Sequence, residues 1–242
     1  MKILVISDIH SNLNALESVL TSAGQVDWTW CLGDLVGYGP DPNDCVELIR
    51  SLPNLVCLMG NHDAAVIGKK SIERFNDEAG GAVLVTKKMI SPSNLIYLHD
   101  LPETVTIGQI TLAHGSPRNP IWEYVIDPTI AEINFDLMKT PYAFVGHSHI
   151  PILFTRGENG KEIQRMIMKP GEPYQLSTRT ILNPGSVGQP RDYDPRASYG
   201  IFDDVLLTWE IHRVEYDIKS VQDRIIKAGL PQRQALRLAE GW

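Results

Sequence analysis

The sequence KILVISDIH at residues 2–10 combines an apolar run with two polar side chains at its end. Lys2 to Ser7 have the length and unbroken hydrophobicity of a strand that is buried on both faces. Leu13 to Ala23 follow with leucine and valine at helical spacing. The chain therefore opens with a strand, a loop that carries Asp8 and His10, and a helix.

The same order of strand, polar loop and helix recurs in the first half of the chain. Trp28 to Leu32 and Asn54 to Met59 have strand patterns, and between them Asn43 has the position of an N-cap for a helix that runs to about Leu52. Residues 64–100 have a mostly helical pattern. We expect this segment to cover part of any site formed at the strand ends.

Short strands dominate the second half. Their predicted ranges are Thr104 to Leu112, Tyr142 to Val145, Ile152 to Arg156, Ile163 to Met168, Tyr199 to Asp203 and Val205 to Val214. Asn159-Gly160 is typical of a hairpin turn between the third and fourth of these. Strands that alternate with helices predict an α/β architecture, and 242 residues without a linker predict a single domain over residues 1–242.

Composition narrows the classes of function. Hydrophobic residues make up 43% of the chain, but no apolar run approaches the roughly 20 residues of a membrane span, and no secretory signal is visible. We therefore expect a cytoplasmic protein without membrane contact. The net charge of −7 disfavours nucleic acid as a partner. Cys31, Cys45 and Cys57 lack the spacing of a thiolate zinc site or a disulfide framework.

Five short polar clusters stand at the ends of predicted strands. They are Asp8-Ile9-His10, Gly33-Asp34, Gly60-Asn61-His62-Asp63, His114-Gly115 and Gly146-His147-Ser148-His149. Loops that follow strands are where α/β folds place their sites. Oxygen and imidazole donors without thiolate suit Mn, Fe, Zn, Co or Ni. Residues two apart on an extended segment point the same way, so each Asp-x-His or His-x-His pair is expected to chelate one ion.

In their order, the five clusters resemble the pattern of the calcineurin-like metallophosphoesterase superfamily. The segment Asn183-Pro184-Gly185-Ser186-Val187-Gly188-Gln189-Pro190-Arg191 resembles one that is common in its small bacterial phosphodiesterase-like branch. The resemblance implies a four-layer αββα sandwich of two mixed β-sheets flanked by helices. It also implies two divalent metal ions per chain, with Mn²⁺ expected first and Fe, Zn, Ni or Co as alternatives. Asp8, His10 and His149 would bind one ion and Asn61, His114 and His147 the other, with Asp34 bridging both.

The resemblance further implies hydrolysis of a phosphate ester by a hydroxide that bridges the metals. His62 would protonate the leaving oxygen, and Asp63 would orient the His62 ring and favour its charged form. Each glycine beside a ligand would allow a sharp turn or a close backbone approach. His99 and His212 lie outside the clusters and are interpreted as structural.

Two residues are candidates for substrate binding. Arg191 follows Asn183-Pro184-Gly185, and its guanidinium would bind a phosphate, or else pair with Asp192 or Asp194. Tyr38 follows the proposed bridging carboxylate and would line the cleft or pack the loop. Trp122 and Tyr124 raise the same question of ring stacking.

The sequence motifs indicate hydrolysis of a phosphate ester but do not identify the substrate. We expect a small phosphate ester or nucleotide, with a phosphodiesterase as the first hypothesis. A phosphomonoesterase or protein serine/threonine phosphatase is the alternative, followed by a dinucleoside polyphosphate hydrolase and a non-catalytic metal-binding scaffold. A serine hydrolase is disfavoured because no Gly-x-Ser-x-Gly motif is present. The oligomeric state does not follow from the sequence.

Overall fold

The first strand divides its side chains between two different cores. The computed structural model describes residues 1–157, 160, 162–176 and 179–242, and in it β1 (Lys2–Ile6) is a central strand. Ile3 and Val5 pack into the core between two sheets, whereas Leu4 and Ile6 pack beneath helices. The unbroken apolar run is thus explained, because neither face of the strand meets water.

The secondary structure has the following bounds. The remaining strands are β2 (Trp28–Cys31), β3 (Leu55–Cys57), β4 (Thr104–Ile107), β5 (Ile110–Ala113), β6 (Tyr142–Phe144), β7 (Pro151–Arg156), β8 (Ile163–Ile167), β9 (Tyr174–Gln175), β10 (Arg179–Pro184), β11 (Ala197–Asp203) and β12 (Thr208–Val214). The helices are α1 (Leu13–Ala23), α2 (Pro42–Ser51), α3 (Asn61–Val66), α4 (Asp77–Met89), α5 (Pro92–Asp100), α6 (Pro128–Leu137), α7 (Ile218–Lys227) and α8 (Gln232–Glu240). A 3₁₀ turn, Ile72–Arg74, precedes α4.

Two mixed sheets form the centre of the fold. The first has the strand order β3-β2-β1-β11-β12-β9, with β1, β2 and β3 parallel and β11 antiparallel to β1. The second has the order β4-β5-β6-β10-β7-β8, with β5, β6 and β10 parallel. Trp30, Phe144, Phe202 and Trp209 fill the space between the sheets. Parallel strands of both sheets therefore end at one edge, where loops meet.

Helices cover the outer face of each sheet. Leu16 of α1 and Val46 of α2 pack on the first sheet, and Phe135 of α6 packs on the second. The predicted four-layer αββα sandwich is confirmed. A smaller core joins α7 and α8 to α4 and includes Tyr38, so the C-terminal helices lie beside the same loop edge.

Several sequence predictions of individual elements need correction. Thr104 to Leu112 is not one strand but the hairpin β4–β5, because Gly108 takes a left-handed conformation with φ of 55° and turns the chain. Asn43 does not cap α2; Asp41 holds that position, and the Asn43 side chain instead bonds the backbone at Met89 and Ser91. Helix α6 was not predicted. Strands β7 and β8 pair as expected, but Asn159 of the expected turn lies outside the described residues.

The lengths of the helices can be compared with the thickness of a membrane. No helix in the part of the chain that the structure describes combines the length and apolarity that crossing a bilayer requires.

Candidate metal centre and adjoining cleft

All seven residues predicted to bind metal lie together at the loop edge. They follow β1, β2, β3, β5 and β6, and they are Asp8, His10, Asp34, Asn61, His114, His147 and His149. Each is at most 4% exposed. Burial of this many polar groups is costly unless they are paired with each other or with an ion. The structure therefore brings together the full set, whose binding of metal stays a prediction.

One group of donors is formed by Asp8, His10 and His149. The Nε2 atoms of the two histidines lie 3.1 Å apart, and Asp8 Oδ1 lies 3.2 Å from His149 Nε2 and 3.8 Å from His10 Nε2. Ligand atoms about 2.1 Å from one ion, at octahedral to tetrahedral angles, lie about 3.0–3.4 Å apart. The first two distances fit a shared ion, and the third requires only a small adjustment.

A second group contains Asn61, His114 and His147. His114 Nε2 lies 3.1 Å from Asn61 Oδ1 and 3.4 Å from Asp34 Oδ2, and a ring nitrogen of His147 lies within 4.8 Å of both His114 and Asp34 donors. Asp34 Oδ2 also lies 3.6 Å from His10 Nε2 of the first group. The Asp34 carboxylate consequently stands between the two groups, as a bridging ligand must.

Backbone carbonyls fix the orientation of three rings. The Nδ1 atoms of His10, His114 and His149 lie 3.2, 3.0 and 2.5 Å from the carbonyl oxygens of Val36, Leu32 and Gln189. Each carbonyl accepts a hydrogen bond from Nδ1–H, so Nε2 faces the centre and presents a lone pair to it whenever the ring is neutral. Such outer partners are the usual means of holding metal-ligating histidines.

Several buried polar atoms of the centre have no hydrogen-bond partner, which indicates that the centre binds cations. Burial is the main cause that lowers the pKa of both His10 and His149, so their facing Nε2 atoms are both unprotonated and repel each other. Asp8 Oδ1, Asp34 Oδ2 and His147 Nε2 are buried without a hydrogen-bond partner. A cation in each group would satisfy these atoms, and the donor set fits first-row divalent metals.

Asp8 and Asp34 carry the negative charge of the free centre. Burial opposes ionisation of the two carboxylates, but His149 holds the pKa of Asp8 below its ordinary value and His114 does the same for Asp34. Burial also opposes protonation of His114, but the charge of Asp34 outweighs burial and raises the pKa of His114 to about 9. For His147 burial dominates and lowers the pKa to about 3. In the free site a proton on His114 thus partly offsets the carboxylates.

The backbone of the ligand loops is not extended. Asp8, His10, Asp34, His147 and His149 have φ values of 55°, 49°, 55°, 64° and 62°. The expectation that each pair two residues apart lies on an extended segment is wrong; left-handed turns bring the side chains together instead. Non-glycine residues take this conformation at a cost of order 1–3 kcal/mol each, and only where the surroundings enforce it.

Hydrogen bonds from a distant segment enforce these turns. The N–H groups of Val187 and Gly188 donate to the carbonyls of Ser7 and Asp8 at 3.0 and 2.9 Å. Asn183 donates through its side chain to the carbonyl of Gly146 at 2.7 Å. The segment 183–191, which we call the brace, therefore holds both the Asp8 and the His147 loops.

Two glycines meet the predicted demand for close approach. A Cβ on Gly60 would lie 2.0 Å from Asp34 Oδ1, and one on Gly146 would lie 2.0 Å from Ser7 Oγ. Contacts below 3.0 Å are not sterically possible, so any side chain at either position would displace the loops that carry the donors.

Asp63 has a different role from the one predicted. Its oxygens accept hydrogen bonds from the N–H groups of Val36 and Gly60 at 3.1 and 3.0 Å, while the buried His62 Nδ1 has no partner. The expectation that Asp63 orients the His62 ring is wrong, because both of its oxygens hold the loop backbone. Burial, with Asp34, raises its pKa to about 7.

Three aromatic side chains pack against the His62 ring. Its ring centroid lies 4.4 Å from that of Tyr38, 4.9 Å from His10 and 4.8 Å from Phe75. Burial lowers the pKa of His62 to about 4, so the ring is neutral in the free site at pH 7. A phosphate anion bound beside it would raise that pKa.

A cleft of about 210 Å³ adjoins the centre. Its walls carry four of the proposed ligands, His62, four further aromatic side chains and three arginines. The ligands are Asp34, Asn61, His147 and His149, the aromatic side chains are Tyr38, Phe75, Trp122 and Tyr124, and the arginines are Arg74, Arg191 and Arg237. Arg74, Phe75 and Arg237 were not singled out from the sequence. They come from the 3₁₀ turn and α8, which carry no motif and reach the cleft only through packing.

The two candidate substrate-binding residues line this cleft. Arg191 does not pair with either neighbouring aspartate, because Asp192 pairs with Arg213 and Asp194 with Arg196. Its guanidinium bonds Gln189 at 2.9 Å and lies 5.8 Å from the Tyr38 ring centroid. Tyr38 both lines the cleft and packs in the core of α4, α7 and α8, so the two interpretations of this residue are compatible.

Comparison with known proteins extends across the whole chain. The family profile described as calcineurin-like phosphoesterase matches residues 1–165. An uncharacterized protein of Methanocaldococcus jannaschii is 44% identical, with 99% of this chain and 98% of that protein covered. Phosphodiesterase YfcE of Escherichia coli is 26% identical, with 86% and 90% covered. A metallophosphoesterase from Sphaerobacter thermophilus has a solved structure that is 48% identical, with 100% and 99% covered and a TM-score of 0.91.

Proposed function

This chain belongs to the calcineurin-like phosphoesterase family and is a metal-dependent phosphoester hydrolase, and from that premise we propose a dinuclear metal centre acting on phosphodiesters. The position of Asp34 carries the proposal. Its Oδ2 lies 3.6 Å from His10 and 3.4 Å from His114, which belong to different donor groups. One carboxylate oxygen within reach of both groups supports two adjacent ions sharing a ligand.

The proposed ligands divide between the ions as follows. Asp8, His10 and His149 hold one, Asn61, His114 and His147 hold the other, and Asp34 holds both. Mn²⁺ is the first expectation, with Fe, Zn, Ni or Co as alternatives, because oxygen and imidazole donors suit all of them. When bound, a metal pair of this kind polarises phosphoryl oxygens and makes water a competent nucleophile near neutral pH.

Other side chains position the substrate and its proton. Arg191 presents a planar guanidinium to the cleft, where it binds a phosphate oxygen. His62, buried between Tyr38 and Phe75, donates a proton to the leaving oxygen once the bound phosphate has raised its pKa. The aromatic walls limit the water around the reacting phosphate.

The preference for diesters rests on the cleft walls and on one relative. Escherichia coli YfcE, which aligns over most of this chain, is named a phosphodiesterase. Phe75 and Trp122, whose centroids lie 5.1 Å apart, and Tyr124, stacked on His147 at 3.8 Å, offer ring surfaces beside the centre. A diester has a second organic group that these surfaces can contact, whereas a monoester does not.

Substrate preference is tested with the holoenzyme in Mn²⁺, Zn²⁺ and Co²⁺. Bis(p-nitrophenyl) phosphate should have a kcat/KM about fivefold or more above that of p-nitrophenyl phosphate, since one buried ring contact contributes about 1 kcal/mol. A phosphoserine peptide should not be hydrolysed. Preference for the monoester would favour a phosphomonoesterase, and hydrolysis of the peptide would favour a protein phosphatase.

Replacing His62 with alanine should slow hydrolysis of esters with poor leaving groups by roughly 10² to 10⁴, the usual contribution of general acid catalysis. Hydrolysis of p-nitrophenyl esters should change far less, because p-nitrophenolate leaves without protonation. Metal content should be retained, since His62 is not among the seven proposed ligands, although a ring nitrogen lies within 4.8 Å of donor atoms of Asp34 and His10. Its backbone N–H, which donates to Asp34 Oδ1 at 2.8 Å, is kept in the alanine variant. His99→Ala, at a histidine whose side chain is 62% exposed, is the matched control. Equal slowing for good and poor leaving groups would contradict a proton-donor role.

A further inference from the structure

Three arginines that line the cleft have no Asp or Glu partner. Within the described ranges, no Asp or Glu oxygen lies within 4.0 Å of the guanidinium nitrogens of Arg74, Arg191 or Arg237. Arg118, Arg156, Arg196, Arg213, Arg224 and Arg233 have such partners, whereas Arg50, Arg165 and Arg179 have none among the described residues but do not line the cleft. Three positive charges without a paired side-chain carboxylate thus lie together in the cleft that adjoins the centre.

Each arginine contacts a ring, an amide or a main-chain oxygen. Arg74 lies over the Trp122 ring at 5.6 Å, and Arg237 donates to the main-chain oxygen of Trp242. Arg191 bonds Gln189, and its buried Nε has no partner. Burial, and then the neighbouring positive charge of Arg191, lower the pKa of Arg237.

The number of cations exceeds what a simple diester requires. A phosphodiester has one negative charge, and Arg191 together with the metal centre already provides for it. Arg74 and Arg237 reach the cleft from the 3₁₀ turn and from α8, away from the seven proposed ligands. An additional anion on the substrate would offset the positive charge of these two arginines and form charge-assisted hydrogen bonds with them.

Resting on the proposed function, we infer that the substrate is a nucleotide-like phosphodiester that carries a second, non-scissile phosphate. Arg74 and Arg237 bind this second phosphate, and Trp122 with Phe75 contacts a planar ring. The cleft, at about 210 Å³, is smaller than the roughly 300–1,000 Å³ of sites that enclose a drug-sized ligand. It therefore holds the phosphates and one ring, while the remainder of the substrate lies outside.

A matched pair of substrates tests the inference: dithymidine monophosphate (TpT) and its 5′-phosphorylated form (pTpT), which differ only in the terminal phosphate. With metal-loaded wild-type protein, kcat/KM for pTpT should exceed that for TpT by at least about tenfold. Hydrogen bonds to charged groups contribute about 1.5–3 kcal/mol, or about 10- to 100-fold. Arg74→Gln and Arg237→Gln should each reduce this ratio about tenfold, mainly through KM for pTpT.

Controls separate loss of recognition from loss of folding. Arg50→Gln removes an arginine that lies 5.9 Å over the Tyr97 ring but does not line the cleft, and it should leave the ratio unchanged. Arg237→Lys retains the positive charge and should recover part of the ratio if α8 folds normally. Calorimetric titration of inorganic pyrophosphate into the metal-loaded protein should show weaker binding in both glutamine variants.

The possible outcomes distinguish this inference from the proposed function. A wild-type ratio near one, a ratio that both glutamine variants keep, or hydrolysis of bis(p-nitrophenyl) phosphate without either dinucleotide would overturn the inference and leave the phosphodiesterase intact. No hydrolysis of any diester by metal-loaded protein would instead overturn the proposed function.

Discussion

Chelation of divalent metal should abolish hydrolysis of bis(p-nitrophenyl) phosphate, and Mn²⁺ added to the metal-free protein should restore it. No serine, threonine or cysteine is among the described residues that line the cleft, so water is the expected nucleophile. Without cations, the negative charge of Asp8 and Asp34, which a proton on His114 offsets only in part, would repel an incoming phosphate. Loss of metal should therefore lower the rate to the uncatalysed background, which a progress curve before and after Mn²⁺ addition measures directly.

Metal removal should also destabilise the fold. At a free metal concentration of about 100 Kd, binding to the native state alone contributes about 2.7 kcal/mol. For a chain of this size that corresponds to a melting temperature lower by about 5–11 °C in the metal-free protein. The stability change arises because a cation relieves the repulsion between His10 and His149 Nε2 at 3.1 Å. Equal activity and equal melting temperature in chelator would contradict the metal centre.

Asp34→Asn should have the largest effect of any single substitution in the centre. The amide keeps the shape of the side chain but removes the charge shared between the donor groups. A bound metal contributes several kcal/mol of transition-state stabilisation, so disturbing both ions should lower kcat/KM by about three to five powers of ten. Elemental analysis after desalting should find two ions per chain in the wild type and one or fewer in the variant.

A surface aspartate provides the matched control for this substitution. Asp100 has a side chain that is 74% exposed, and Asp100→Asn should leave the metal content and rate unchanged. Circular dichroism should show the same fold for both variants, because Asp34 Oδ1 accepts the His62 N–H at 2.8 Å and an amide oxygen can replace it. Two retained ions together with activity within tenfold of wild type would disprove the bridging position.

Patterns of local sequence predicted the layers of the fold. Alternate residues of β1 enter different cores, and its apolar run predicted this burial on both faces. The helix α6 was missed although Asp127 and Pro128 have the residue types of an N-cap and a first helical position. The hairpin β4–β5 was missed because the single Gly108 that turns the chain stands between residues with a continuous strand pattern.

The residues predicted as metal ligands converge in the structure, and their role as ligands stays a prediction, but the predicted local conformation is wrong. The clusters that contain Asp8 and His147 converge, but through left-handed turns that hydrogen bonds from the brace enforce. Asp63 bonds backbone groups of its own and a neighbouring loop, which no spacing along the chain reveals. Arg74 and Arg237 are more than 160 residues apart in the sequence. They line the same cleft because α4 and α8 pack in one core.

The brace also determines when the centre can form during protein synthesis. Ser186 and Gly188 bond the carbonyl of Asp8 across a separation of 178 residues or more. At about 5–20 residues per second, a ribosome needs roughly 9–36 s to make the intervening chain. Until then β1 lacks its neighbour β11 and exposes an unpaired edge prone to aggregation. A nascent chain ending near residue 165 would contain every proposed ligand and still lack the segment that sets their geometry.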